Sequence, residues 1–342
     1  MSLEILSQAS ITLISASLSV IGGLALLLTY VKIPIFQTSV HRLLVFLTIA
    51  DILTAFGYII GTVNFLTLND DQRNTTDPMC EAQSFITTFS SLSSFGWTSV
   101  IAIHLYLLIR SHRNFEKDRL VKAWYFTIGW IFPATITTVV LAIKKLGRDT
   151  HGQQAGTGLW CWIKLDYKDN RIHPSDIRLM FISGKLWEIL TYVLSFSVYM
   201  LLKITTFLER QRNSNYSWGR VKGTDLRDED ERFCFTWLIL YLLRLWGTIR
   251  FFFAISGDGS NQKITNADNI LKYFHCAGDC AQALGNFLLF CVFDKNIRKK
   301  YGEIFCRYRY DRNQNVLLNT SESTNYQTTF RIKRKENDAM LM

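Results

Sequence analysis

The sequence predicts an all-α membrane protein: a bundle of seven transmembrane helices, N-terminus outside, with a short amphipathic helix after the seventh span. Three observations carry this. Seven apolar runs, each near the ~20 residues that cross a hydrocarbon core, recur in a chain of 342 residues that is 49% hydrophobic. Lys and Arg are distributed unevenly between those runs. The connections after the first, third and fifth runs, with the C-terminal tail, hold about 25 of the 38, the bias that marks cytoplasmic loops. Of seven cysteines, only Cys80 and Cys161 fall on the opposite side of the spans, where an oxidising compartment permits a bridge.

The runs cover about 9–31, 43–66, 82–109, 123–143, 179–202, 233–255 and 269–293. They leave short loops and two tails, so residues 9–293 are read as one membrane domain. Residues 1–8 carry no Lys or Arg and are read as a short extracellular N-terminus, too brief to capture a ligand. Without a basic n-region or a small-residue cleavage site, the first span is expected to act as its own signal. The net charge of +10 is accounted for by topology and inner-leaflet lipids, so nucleic acid is not an expected partner.

The second span carries Asp51 near its middle, a depth at which an ionisable side chain faces the bundle interior. The first outer loop holds the sequon Asn74-Thr75-Thr76, a candidate glycosylation site. The third span is the organising element. Between Glu81 and Arg110 its only ionisable side chain is His104, and nine of its residues are Ser or Thr. Small hydroxyl residues let helices approach closely and bond across the gap, so this helix is expected at the centre of the bundle. The fourth span contains Trp130 and Pro133, the proline predicting a kink.

The long second outer loop ends on Trp160-Cys161-Trp162. Two tryptophans beside a tethered cysteine predict a lid over the bundle mouth, with interfacial anchoring as the alternative. On the fifth span Lys185 and Glu188 share a face. The third inner loop is basic at Arg210, Arg212, Arg220 and Lys222, then acidic from Asp225 to Glu231, where carboxylates suit the start of the sixth helix. The sixth span contains Arg244 and Arg250. The seventh contains Lys272, His275, Asp279 and Asn286. His275, Cys276 and Cys280 offer too few ligands for a metal site, and no metal or cofactor is expected. Residues 294–308 alternate apolar and basic residues at helical spacing, predicting a helix on the inner leaflet, with Cys306 a candidate for palmitoylation. The polar tail, 309–342, is expected to be disordered.

A tethered outer rim, a polar interior and a basic inner surface are what a seven-helix receptor needs. A small-solute transporter is the alternative, but it should show two similar halves, and none is seen. Lys272 lies too near the outer end for a retinal Schiff base. No HExxH, G-x-S-x-G or paired intramembrane aspartate motif points to an enzyme.

The strings HRLLVFLTIADIL, SSFGWT, AIKKLGRD, GKLWEILTY and RLWGTIRF, with the outer cysteine pair, resemble a group of G-protein-coupled receptors. That group lies between secretin-family receptors and slime-mould cyclic-AMP receptors. The resemblance spans roughly residues 10–308. Rhodopsin-class landmarks are missing: Ile109-Arg110-Ser111 stands where an acidic-Arg-aromatic triplet would, and the seventh span lacks NPxxY. No large cysteine-rich outer domain is present either, so the resemblance does not extend to a peptide-hormone ligand. It implies a receptor, not an enzyme, carrying a signal from an unknown extracellular ligand to a heterotrimeric G protein. It implies residence in the plasma membrane, the ciliary membrane being a candidate location.

Site expectations follow from depth, counted at about 1.5 Å per residue. Lys185, Arg250 and Lys272 form one outer layer of cations facing the single carboxylate of Glu188. With Trp187 they are expected to line a pocket for a small anionic ligand, Arg250 being the strongest candidate to hold it. A purely structural salt-bridge layer is the alternative. Asp51 and Asp279 are expected to approach each other inside the bundle, around a sodium ion or water, and Asn286 is a further polar residue within the seventh span. Arg110, Arg113, Arg210 and Arg212 are expected to meet the G protein.

Overall fold

The computed structural model describes residues 3–68, 77–110, 118–148, 159–165, 167–168, 171–212, 238, 241–255, 262–294 and 297–303. Three long helices open the chain: α1 (Leu3–Lys32), α2 (Ser39–Thr67) and α3 (Pro78–Arg110). Thr38 caps α2 by accepting the His41 N–H, and Asp77 caps α3 by accepting the Cys80 N–H, so both starts are set by short polar side chains that take up otherwise orphaned backbone donors. α4 (Arg119–Ala142) contains a π turn at Thr127–Ile131. It stands just ahead of Pro133, and here the expected proline distortion takes the form of one inserted residue rather than a break. α5 follows in three stretches: Pro174–Met180, a π turn at Phe181–Lys185, and Leu186–Arg212. α6 occupies 241–255. α7 (Gln262–Gly278) stops at Asp279, and α8 (Gln282–Phe287) resumes the path, ending in a π turn at Leu288–Val292.

Five of these helices are long and apolar enough to cross a membrane among the described residues: α1, α2, α3, α4 and α5. The described parts of α6, α7 and α8 are shorter. Ile14, Ile21 and Leu28 of α1 are all more than 60% exposed and stand seven residues apart, so they form an outward apolar row suited to lipid.

α3 is the central helix. It packs against α2, α4, α5 and the loop that follows α4. Ser84, Ser90, Ser93 and Ser94 are fully enclosed, and the hydroxyls bond across helices. Thr54 donates to Ser90 at 2.8 Å, and Ser99 meets Thr191 of α5 at 3.1 Å. The hydroxyl-rich composition of this segment therefore serves close packing.

The described residues of the loop after α4 include four short strands: β1 (Leu146–Gly147) pairs antiparallel with β2 (Trp162–Ile163), and β3 (Tyr167–Lys168) with β4 (Arg171–Ile172). The seven-span expectation needs one correction of detail. The run from 269 to 293 is interrupted at Asp279-Cys280-Ala281. At that interruption Gly278 lies on the backbone carbonyl of Leu243, where any Cβ would collide with the α6 main chain.

The chain divides at 291/292. In the second unit residues 297–303 are helical, within the 294–308 helix expected from the sequence. Asp294 accepts the Ile297 N–H at 3.1 Å, and Lys300 pairs with Glu303 at 2.6 Å.

Candidate functional site

The loop after α4 is drawn onto the bundle by α3. Cys80 and Cys161 form the disulfide, with Cα atoms 5.6 Å apart. Beside it the Cys161 N–H donates to Gln83 Oε1 at 2.8 Å, and the Ser84 hydroxyl donates to the Trp162 carbonyl. Three successive attachments thus hold Trp160-Cys161-Trp162 in place. The Trp160 ring meets Tyr58 edge-on at 4.5 Å and His275 at 5.7 Å. The Trp162 indole lies against Gly184 in the α5 π turn, so close that a Cβ there would stand 2.9 Å from it. The two tryptophans and the disulfide form one wall of a cavity of about 90 Å³.

Two polar networks and one further cation line or border this cavity. In the first, Lys185 pairs with Glu188 at 2.7 Å, and the other Glu188 oxygen accepts from Tyr192 and Thr248, both at 2.7 Å. Lys185 enters this arrangement from the end of the π turn at Phe181–Lys185. The second runs through three helices, α6, α7 and α2. Asp268 accepts from Arg250 Nε at 2.7 Å and Nη2 at 3.3 Å. Arg250 Nη1 meets His275 Nδ1 at 2.9 Å, and His275 Nε2 meets Asp279 Oδ2 at 3.1 Å. An arginine only donates, so Nδ1 is the acceptor and Nε2–H the donor. Tyr58 also donates to Asp279 Oδ2, at 3.3 Å. The remaining cation is Arg244, 4% exposed, whose guanidinium lies 4.8 Å from the Phe95 ring centroid. Its Nε and Nη2 have no hydrogen-bond partner among the described residues.

The structure brings some of the sequence-predicted residues together and separates others. Lys185 and Glu188 line the cavity, while Trp187, Arg250 and Lys272 are outside its lining. Trp187 instead donates to the Ile182 carbonyl and meets Phe132 edge-on at 4.6 Å. Arg250 is held by Asp268 and His275. Lys272 lies 3.6 Å from the same Asp268 and donates to Asn269. Arg250 and Lys272 therefore share a carboxylate, Asp268, that the depth count assigned to a loop. Asp51 and Asp279 hold separate partners: Asp51 accepts from Ser94 at 2.6 Å and Asn286 at 2.8 Å, joining α2, α3 and α8. Arg110, Arg210 and Arg212 fall in helices, but their side chains lie outside the described residues, as do Asn74, Arg113 and Cys306 altogether.

Tyr58, Tyr192, Thr248 and Asp268 are network residues that sequence reasoning did not single out, and Arg244, noted in the sixth span, was given no place in the site. The four-residue spacing of Arg244 and Thr248 on one helix face was the available signal. Their convergence with Glu188 needs the packing of α5 on α6.

Comparison with known proteins places the chain. The family 7 transmembrane receptor (Secretin family) matches residues 5–173. G-protein coupled receptor 157 of Mus musculus is 30% identical over 305 residues, covering 87% of this chain and 86% of the relative. The Rattus norvegicus protein of the same name is 31% identical over 314 residues, covering 90% and 88%. Cyclic AMP receptor 2 of Dictyostelium discoideum is 27% identical over 168 residues, covering 49% and 41%. An all-helical bundle with apolar outer faces, a tethered loop and identity across almost its whole length lead to one assignment: the chain belongs to the receptor family that includes G-protein coupled receptor 157.

Proposed function

We propose that the chain is a plasma-membrane receptor that binds a small extracellular ligand in the cavity beneath Trp160 and Trp162 and promotes nucleotide exchange on a heterotrimeric G protein. It crosses the membrane seven times, N-terminus outside and C-terminus in the cytoplasm. The cavity is the observation that supports this reading. It joins α2, α3, α5, α6 and α7 with the disulfide-held loop, so a ligand there touches most of the elements whose relative packing defines a receptor state. Arg110, Arg113, Arg210 and Arg212 would meet the G protein at the opposite end. Asn74 is the proposed glycan site and Cys306 the proposed lipid site. The name of the Dictyostelium relative raises a cyclic nucleotide as ligand. A cavity of about 90 Å³ is smaller than the ~150 Å³ that encloses benzene, which suits a small metabolite better than a purine nucleotide.

The test is nucleotide exchange on purified G proteins by the receptor in lipid nanodiscs, challenged with a panel of small polar metabolites. Stimulation by a panel member is expected, together with its loss when Arg110 and Arg113 are replaced by Gln. Absence of exchange on every G-protein class, basal or stimulated, overturns the coupling.

A further inference from the structure

Four polar side chains on the cavity wall hold atoms with no hydrogen-bond partner among the described residues. They are Arg244 (Nε and Nη2), Asp279 (Oδ1), Thr88 (Oγ1) and Ser183 (Oγ). All four residues are 9% exposed or less, so bulk water does not replace the missing partners. Buried polar groups are normally paired, and a group of four around one cavity points to an occupant.

The chemistry of that occupant is set by what is already committed. Both oxygens of Glu188 are taken by Lys185, Tyr192 and Thr248. Asp279 Oδ2 is taken by His275 and Tyr58, leaving Oδ1 as an acceptor. Arg244 presents the Nε–Nη2 edge of its guanidinium. Six residues along the same helix, Arg250 uses that same edge to hold the carboxylate of Asp268. A planar two-donor edge matches a carboxylate in two parallel hydrogen bonds. The Arg244 guanidinium lies over the Phe95 ring, 4.8 Å from its centroid.

Resting on the receptor reading above, we infer that the cavity ligand is a small carboxylate that also carries a hydroxyl or ammonium donor. Its carboxylate is held by Arg244 and its donor by Asp279. Thr88 and Ser183 offer hydroxyls to the same molecule, and the lid tryptophans cover its carbon skeleton. Arg244 thereby replaces Arg250 as the ligand cation.

The experiment uses the full-length receptor in nanodiscs. Thermal stability and equilibrium binding are measured with three- to six-carbon hydroxy- and amino-carboxylates, each beside its uncharged methyl ester. At least one acid is expected to raise the melting temperature while its ester does not. For that acid Arg244→Gln is expected to weaken binding roughly 10- to 100-fold, the size of a charged hydrogen bond. Thr88→Val, a near-isosteric change that leaves no new polar group buried, is expected to weaken it about 5-fold. It keeps the test decisive where Arg244→Gln fails to fold. Binding of no acid, equal binding of acid and ester, or unchanged binding in a folded Arg244→Gln or Thr88→Val receptor overturns the inference, the first outcome marking the cavity as water-filled. An acid that binds through Arg244 yet leaves nucleotide exchange unmoved sustains this inference while overturning the coupling. Exchange driven equally in wild type and Arg244→Gln does the reverse.

Discussion

Arg250 closes on Asp268 with Nε 2.7 Å from Oδ1 and Nη2 3.3 Å from Oδ2, its guanidinium fully buried while the carboxylate keeps partial contact with the outside. The pair fastens α6 to the first turns of α7. Through His275 it continues to Asp279 at the point where α7 breaks. The charge that the sequence offers as a ligand site is therefore part of the scaffold that shapes the cavity beside it.

Removing a partner so that a buried charge stands alone costs about 3–5 kcal/mol. Asp268→Asn takes the carboxylate from the fully buried Arg250 and is expected to reduce surface expression and the melting temperature of the purified receptor. Arg250→Gln is expected to cost less, because Asp268 is partly exposed and keeps Lys272 at 3.6 Å. Combining the two should recover part of the loss of Asp268→Asn. A double mutant no better than Asp268→Asn alone would show that Arg250 is not the partner that matters.

The disulfide encloses a sequence separation of 81 residues, and removing such a bridge typically costs about 2–5 kcal/mol. Cys80→Ser is expected to lower thermal stability and to expose Cys161 to a membrane-impermeant maleimide on intact cells. The unmodified receptor should show no labelling at either position. Labelling of the wild type without prior reduction contradicts the bridge.

Gly184 and Trp162 test the lid. A methyl at 184 meets the indole at 2.9 Å, with the Trp162 backbone held by Ser84 and the disulfide, so the ring must rotate away. Gly184→Ala is expected to destabilise by about 1–3 kcal/mol, as overpacking does, and to alter tryptophan fluorescence. Trp162→Ala introduced alongside should remove most of that penalty. An unchanged melting temperature in Gly184→Ala would mean that the lid is not seated on α5.

Asp51 joins three helices through Ser94 and Asn286. Ser94→Ala removes one donor from a buried carboxylate and is expected to cost about 1–3 kcal/mol. With Asp51 already replaced by Asn, the same change should cost less, since an amide needs the hydroxyl less than a carboxylate does. A thermal double-mutant cycle measures the coupling. Strict additivity would remove this contact as a tie between α2 and α3.

Much of the fold is legible because membrane insertion imposes a strong linear rule. A helix that must satisfy its own backbone in lipid needs a long apolar run, and the described α1 to α5 all contain the runs read from the sequence. The bridge is legible for a similar reason: two cysteines on one side of the spans have few alternatives. The central place of α3 is legible in its serines and threonines. The two β-hairpins and the break at Asp279 are less so, because a loop pinned at Cys161 and a helix crowded by Leu243 are shaped by neighbours distant in sequence.

For the candidate site the division falls between residue type and pairing. Sequence alone supplied the residue types Lys185, Glu188, Arg250 and Lys272 and the expectation that they share one layer, since depth along a helix is counted by residue. It also determined that Trp160 and Trp162 stand beside a tether. Which charges meet was decided only by the tertiary structure. Partner choice depends on helix rotation and on the π turn at Phe181–Lys185, neither of which hydrophobic periodicity encodes. That rotation gave Arg250 to Asp268, gave Glu188 to Lys185, and left the Nε–Nη2 edge of Arg244 without a partner among the described residues. A few ångströms of packing thus moved the candidate ligand cation from one arginine of α6 to another, because a salt bridge forms only where geometry closes it.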